Sequence, residues 1–480
     1  KPLTVEEVER VHDTACDVLE RIGVGTPIPL LVELATTRGA WLNDKKRLCF
    51  PRTLIDEIIE GAAKELTLYA RDPQYDLDIS DKRVHFGTGG AAITVLDFRT
   101  GAYRPSKLED IYDFARLTAQ LDNVTWFTRC VIATELPDPY KLDINTAYAL
   151  VAGTQKHIGT AITEAQNVAP VTELFDIVAG GPGKFKERPF CKLHTSPMVP
   201  PLRYGEDASD TIVEAVKRGW PINAITAGQS GATSPATLAG TLVQTHAETL
   251  AALALVNLLR AGHPFIFSNW PFVADLRTGA MTGGSAEGAV LNAAAAQIIN
   301  HLGLPSGVVG GMTDSKLPDT QAGFENAITN TLAGLSGANL VCESARMLAS
   351  LLGASFEAFV INDEIIGQVM RAVRGIEIND ETLSFEVIRQ AVEGPGHFLG
   401  NEQTIAVMES EYLYPTIGDR FSPALWAEMD KPTMWSKAKE KVSELMQHYP
   451  ENLTESQDNA IREQFDILLN PDVMQPSERW

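Results

Sequence analysis

Three consecutive stretches decide how this chain is read: PINAITAG (Pro221–Gly228), the Ala- and Leu-rich run Ala236–Arg260, and PFIFSN (Pro264–Asn269). A short β-rich run, a long helical stretch and a second short run make one βα unit and the strand of the next. Outward in both directions the same alternation recurs at intervals of roughly 30–45 residues, the length of such a unit. Arg83–Phe98, Val124–Thr134, His157–Thr163 and Phe190–Ser196 precede it, and Ser306–Gly311 and Asn339–Ser344 follow. The first of these reads as a hairpin that turns again at Thr100-Gly101. Eight β runs, each followed by a helical stretch, predict an α/β fold, a closed (β/α)₈ TIM barrel over residues 81–376. An open sheet fits less well, because nothing resembles a dinucleotide-binding half.

Helical extensions flank the barrel. Residues 1–80 read as an N-terminal helical segment, opened by the capping box Thr4-Val5-Glu6-Glu7 and punctuated by Pro27, Pro29 and Pro51. Residues 377–480 lose the β runs, and Ser436–Tyr449 and Glu455–Leu469 read as charged helices packing on the barrel or on a neighbouring subunit. Ser106–Glu109 is a second expected capping box, and Ser234-Pro235 an expected N-cap. The 480 residues carry 40 Lys and Arg against 62 Asp and Glu, a net charge of −22. Nucleic acid and anionic membrane both call for a positive field, so neither is an expected partner. Ala236–Gly262 is apolar but interrupted by Gln244, His246, Glu248 and Asn257, so it reads as a buried helix. Five scattered cysteines without a CxxC pair read as reduced thiols of a cytoplasmic protein.

In a barrel of this kind, chemistry sits where strands end. Those positions supply Thr134-Glu135, Thr163-Glu164, His194-Thr195, Gln229, Asn269-Trp270, Met312-Thr313-Asp314 and Glu343-Ser344-Arg346. Carboxylates, amides and one indole suit a cationic ligand, since an indole face attracts an ammonium by about 0.5–2 kcal/mol. The alternative for any one of them is a loop cap or a rim salt bridge. No protein-bound metal is expected: His157, Cys191 and His194 show no i,i+4 or HExxH spacing. Gly87-x-Gly89-x-x-Ala92 imitates a dinucleotide fingerprint, yet Ile93–Phe98 after it is strand-like where a helix is required. Gly394-Pro395-Gly396-His397-Phe398-Leu399 reads either as a helix end with a buried His or as a tight turn that presents His397 and Phe398.

That last motif, together with GGMTDSKLPDTQAG (Gly310–Gly323), Gly337-Ala338-Asn339-Leu340 and DFRTGAYR (Asp97–Arg104), resembles the trimethylamine methyltransferase family of corrinoid-dependent enzymes. The resemblance runs along nearly the whole chain. It implies a barrel that moves a methyl group from an amine to the Co(I) of a separate corrinoid protein. No cofactor is then bound tightly by the chain itself; the corrinoid (cobalamin) arrives on a partner. The trimethylamine enzyme carries pyrrolysine where this sequence has Ser344, so the pyrrolysine chemistry is absent, as in the glycine betaine branch.

The leaving group rationalises that loss. A tertiary amine needs activation before it departs, whereas a quaternary ammonium departs as a neutral amine. Positioning the methyl in line and shielding it from water then suffices. The resemblance therefore implies a small quaternary-amine substrate, glycine betaine or a similar betaine, with Asp314, Glu343 and Ser344 in the catalytic region. Trp270, Asn269, Glu164 and His194 are further expected contacts with the substrate, and Arg346, His397 and Phe398 complete the set, Arg346 and His397 at its carboxylate. A homo-oligomer is expected. The alternatives are a non-catalytic quaternary-amine binding or sensing protein and a methyltransferase for another charged methyl donor.

Overall fold

The computed structural model describes residues 1–345, 347–476 and 479–480, so the expected site residue Arg346 lies outside the described residues. Eight parallel strands form one sheet: β1 (His85–Phe86), β2 (Trp126–Thr128), β3 (His157–Thr160), β4 (Cys191–Thr195), β5 (Ile222–Thr226), β6 (Phe265–Asn269), β7 (Ser306–Val309) and β8 (Leu340–Cys342). Each pairs with its neighbour in chain order from β2 to β8, and β8 pairs with β1 through Leu340 to His85 and Val341 to Phe86. Closure comes from a bridge between Gly87 and Trp126 and from the Thr125 N–H donating to the Phe86 carbonyl at 2.8 Å. The barrel expected from the alternation is formed, and all eight β runs contribute one strand.

Helices α1 (Leu108–Ala119), α2 (Pro139–Gly153), α3 (Val168–Ala179), α4 (Glu206–Arg218), α5 (Leu238–Leu259), α6 (Ala286–His301), α7 (Thr320–Ser336) and α8 (Phe356–Arg374) surround it. α5 is long and apolar enough to cross a membrane, but most of it is buried. One side packs on β5 and β6, and the first helix of the chain, Val5–Arg21, packs on the other. A helix covered on both sides is apolar all round for that reason.

Strand residues alternate between barrel interior and helix layer. Phe267 faces His246 of α5, ring centroids 5.9 Å apart, while Ser268 beside it turns inward to donate to Asn223 Oδ1. Trp126, Thr128, Lys192 and His194 share the inner face with Asn223.

Three local expectations are corrected. The hairpin at the start of the barrel pairs Thr94–Leu96 with Tyr103–Pro105, separate from β1. α1 begins one residue later than the Ser106 box implies: Asp110 accepts from the Lys107 N–H at 2.8 Å, and Ser106 Oγ donates to the Ile132 carbonyl. α5 is capped by Thr237, whose Oγ1 accepts from the Gly240 N–H, because Ser234 is held in a turn by the Gln229 carbonyl. The Thr4–Glu7 box forms in both directions. The N-terminal segment also holds two small hairpins, Trp41–Leu42 with Leu48–Cys49 and Thr67–Leu68 with Leu77–Asp78.

In the C-terminal extension, Met434–Leu445 packs on α8, and Glu455–Gln464 on α3. Arg116 of α1, fully buried, ties this region down. It pairs with Asp113 at 2.8 Å and donates to the Met446 and His448 carbonyls.

Candidate active site at the barrel mouth

β8 ends at Cys342, and Glu343 then takes a left-handed backbone (φ 62°). A non-glycine residue in that region is strained and is held there by its surroundings. The turn sends the Glu343 carboxylate into the mouth, 2% exposed, with Oε2 lacking any hydrogen-bond partner. Burial raises its carboxyl to about 8, and the positive charge of Arg129 partly opposes that rise.

The glycines after β1 make the space for it. A Cβ at Gly89 would stand 2.7 Å from Oε1 of Glu343, and one at Gly90 would stand 2.9 Å from Oε2. A Cβ at Gly87 would strike the Trp126 ring at 2.2 Å. The glycine pattern that imitates a nucleotide fingerprint is thus a clearance for two barrel side chains.

Opposite, His194 leaves the end of β4 with its ring 5.4 Å from that of Trp270, and Asn223 Nδ2 donates to its Nδ1 at 2.8 Å. Burial, then the charges of Lys192 and Arg129, hold its imidazole down to about 3. Trp270 is 3% exposed and its Nε1–H has no partner; neither amide atom of Asn269 has one either. Deeper in the barrel, Lys192 Nζ lies 5.1 Å from the centroid of Trp126 with no hydrogen bond, and burial lowers it to about 8. Thr128 Oγ1 and Arg129 Nη1 are also buried and unpartnered. Native interiors rarely leave such groups unmatched, so this concentration marks a place where a polar ligand or water belongs.

The other expected residues are placed differently. Ser344 is fully buried, its hydroxyl donating to the Val341 carbonyl at 2.8 Å and its own carbonyl taken by Asn362. It stands beside Glu343 with its side chain turned back into the loop. Asp314 accepts from the Gly283 N–H and the Ser350 hydroxyl, both at 2.5 Å, and so fastens the loops after β6 and β8. Glu135 and Glu164 are exposed on the rim, Glu135 accepting from the Leu108 N–H and Glu164 from Gln166.

His397 and Phe398 are exposed in the turn that ends helix Phe385–Glu393. The expectation of a buried histidine there is therefore corrected. This segment leaves the end of α8 away from the mouth, and Glu411 fastens it to Arg371 at 3.0 Å. Among the described residues no contact joins His397 to the mouth.

Sequence reasoning passed over Arg129, Lys192 and Asn223. The signal available was a charged or amide residue inside a β run, at Arg129, Lys192 and Asn223 alike, where apolar residues are the rule. Among the described residues no group of three or more His, Cys, Asp or Glu is gathered as a metal site would be.

This parallel eightfold barrel is the framework of a methyltransferase, for the family model described as "Trimethylamine methyltransferase (MTTB)" matches residues 1–466. The chain belongs to the trimethylamine methyltransferase family. It is 30% identical to the trimethylamine methyltransferase MttB of Desulfitobacterium hafniense (strain DSM 10664 / DCB-2), over 94% of this chain and 90% of that one. It is 29% identical to the glycine betaine methyltransferase of Desulfitobacterium hafniense (strain Y51), over 89% of this chain and 88% of that one. Among solved structures, the monomethylamine methyltransferase MtmB of Methanosarcina barkeri aligns over 92% of both chains, with 14% identity and a TM-score of 0.48.

Proposed function

We propose that this chain demethylates a small quaternary amine, glycine betaine or a similar betaine, onto the Co(I) of a separate corrinoid protein. The observation that carries the reading is that the strand ends at the mouth hold a buried Glu343 with an unpartnered carboxylate oxygen and a buried Trp270, next to a Ser344 that offers no activating group. The cobalt of a docked partner would supply the nucleophile and take up the methyl group. The N–CH₃ bond breaks and its electron pair stays on nitrogen, so the amine leaves neutral and no acid is required. The residues of this chain bind and orient. Glu343 balances the ammonium charge, Trp270 offers its π face, and the buried setting keeps water from the reacting carbon.

A tertiary amine is a poor donor here, because it would leave as an anion unless activated. Five buried free cysteines support the reducing cytoplasm as the compartment. The test mixes the chain with a Co(I) corrinoid protein and follows the cobalamin absorbance after adding glycine betaine or trimethylamine. Methylation of cobalt by the quaternary amine alone is expected. Turnover of trimethylamine at an equal or higher rate overturns the reading, and binding of betaine without any transfer makes the chain a sensor.

A further inference from the structure

Arg129 follows β2 at the barrel mouth, partly accessible, and its side chain makes no hydrogen bond or ion pair among the described residues. It is not isolated. Its charge acts on Glu343 and on His194, two residues of the mouth, and Asp143 of α2 acts on it in turn. Arg129 is therefore a cation without a counter-ion and Glu343 a carboxyl that burial keeps protonated up to about pH 8, and the two feel each other without forming an ion pair. Two such groups left apart are costly unless something bridges them. A ligand with the reverse polarity, positive toward Glu343 and negative toward Arg129, matches both ends at once.

A second observation points the same way. Ser268 gives its hydroxyl proton to Asn223 Oδ1, which leaves Asn223 Nδ2 to donate to His194 Nδ1 at 2.8 Å. A ring nitrogen that accepts cannot also carry a proton, so in neutral His194 the N–H is at Nε2. The ring stays neutral because it is buried beside the cations Lys192 and Arg129. No described residue accepts from Nε2–H, so this donor serves the mouth, beside Trp270.

We infer that the mouth is built for a zwitterion and that Arg129, with the Nε2–H of His194, takes its carboxylate while Glu343 and Trp270 face its ammonium end. This deepens the betaine reading above and rests on it. His397 is exposed and makes no contact with the mouth among the described residues, and the carboxylate role expected of it passes to Arg129. Lys192, fully buried below His194, adds positive potential without touching the ligand. Asn223 and Ser268 are positioning residues that fix which nitrogen of His194 donates.

The experiment compares glycine betaine with choline, which keeps the trimethylammonium and replaces the carboxylate by a hydroxyl. Calorimetric binding to the full chain needs no corrinoid. The wild-type chain is expected to bind betaine roughly tenfold or more tighter than choline, the worth of a charge-assisted contact. Arg129→Gln is expected to remove that preference, weakening betaine roughly tenfold and leaving choline nearly unchanged, while Arg129→Lys restores part of it. Equal binding of the two ligands by the wild type, or equal losses for both in Arg129→Gln, overturns the assignment. Because the choline arm reports on folding as well as on the cation site, a misfolded variant is recognised by loss of both ligands together with its melting transition. In that case the wild-type preference alone decides.

For Asn223 the readout is the ring-nitrogen NMR shift of His194. Asn223→Ala is expected to blur the Nε2–H signature, and an unchanged signature overturns the relay. Transfer from choline that is indifferent to Arg129 would sink only this inference. Failure of every quaternary amine would sink the function itself.

Discussion

Glu343 gives the site a pH dependence whose sign follows from its burial. Its carboxyl is raised from an ordinary 4.5 to about 8, so between those values the folded chain holds a proton that the unfolded chain has released. The stability this group contributes is present in full below about pH 4.5 and is lost as pH rises through about 8. Cation binding runs the opposite way, because only the ionised carboxylate attracts an ammonium. Betaine affinity is expected to rise roughly tenfold per pH unit up to about pH 8 and then level off, with one proton released below that point. Calorimetry in buffers of different ionisation enthalpy measures this, and Glu343→Gln should flatten the profile. At the same scale, Trp270→Ala should weaken betaine binding by about 1–2 kcal/mol, the range for a desolvated cation–π contact. An unchanged dissociation constant would remove the indole from the site. Both residues were legible in the sequence as strand-end positions. Arg129 was not, because nothing in a sequence tells which charged residue of a β run finds a partner and which is left without one.

The loops after β6, β7 and β8 act together through Asp314. Asp314→Ala removes acceptors from the Gly283 N–H and the Ser350 hydroxyl. A loss of about 1–3 kcal/mol is expected in denaturant unfolding, the cost of leaving part-buried donors unmatched. If Asp314 instead touched substrate, the variant would lose turnover with stability intact. The helices show the same division between pattern and context. Thr4–Glu7 caps as written, since its partners lie within one turn. Ser106 and Ser234 have equally good local patterns, yet the Ile132 carbonyl claims one hydroxyl and a turn after β5 holds the other residue. A cap read from sequence competes with every acceptor that tertiary structure brings near it.

Across the whole molecule, one region stands apart. Between residues 376 and 434 only Ala391 and Ile417 are buried, while Ile376 (83% exposed), Phe385, Val392, Leu399, Ile405 and Tyr412 are open. Fixing so much backbone with so little burial is unfavourable unless another surface covers it. Together with the expected homo-oligomer, this leads to a native mass in sedimentation that is a multiple of 52.2 kDa. A monomer at micromolar concentration would contradict it.

The barrel itself was determined by sequence, because the period of apolar residues and the spacing of turns are local properties that survive any arrangement of neighbours. So were the burial of α5 and the carboxylates at strand ends. What only tertiary structure decided is which of these polar groups meet. Glu343 enters the mouth because its backbone turns left-handed and Gly89 and Gly90 give it room; Ser344, one residue on, is turned away. Arg129 comes within electrostatic reach of that carboxylate and of His194 from a strand far from either in the chain. Their charges and protonation states follow from burial and mutual distance, and those exist only once the barrel has closed.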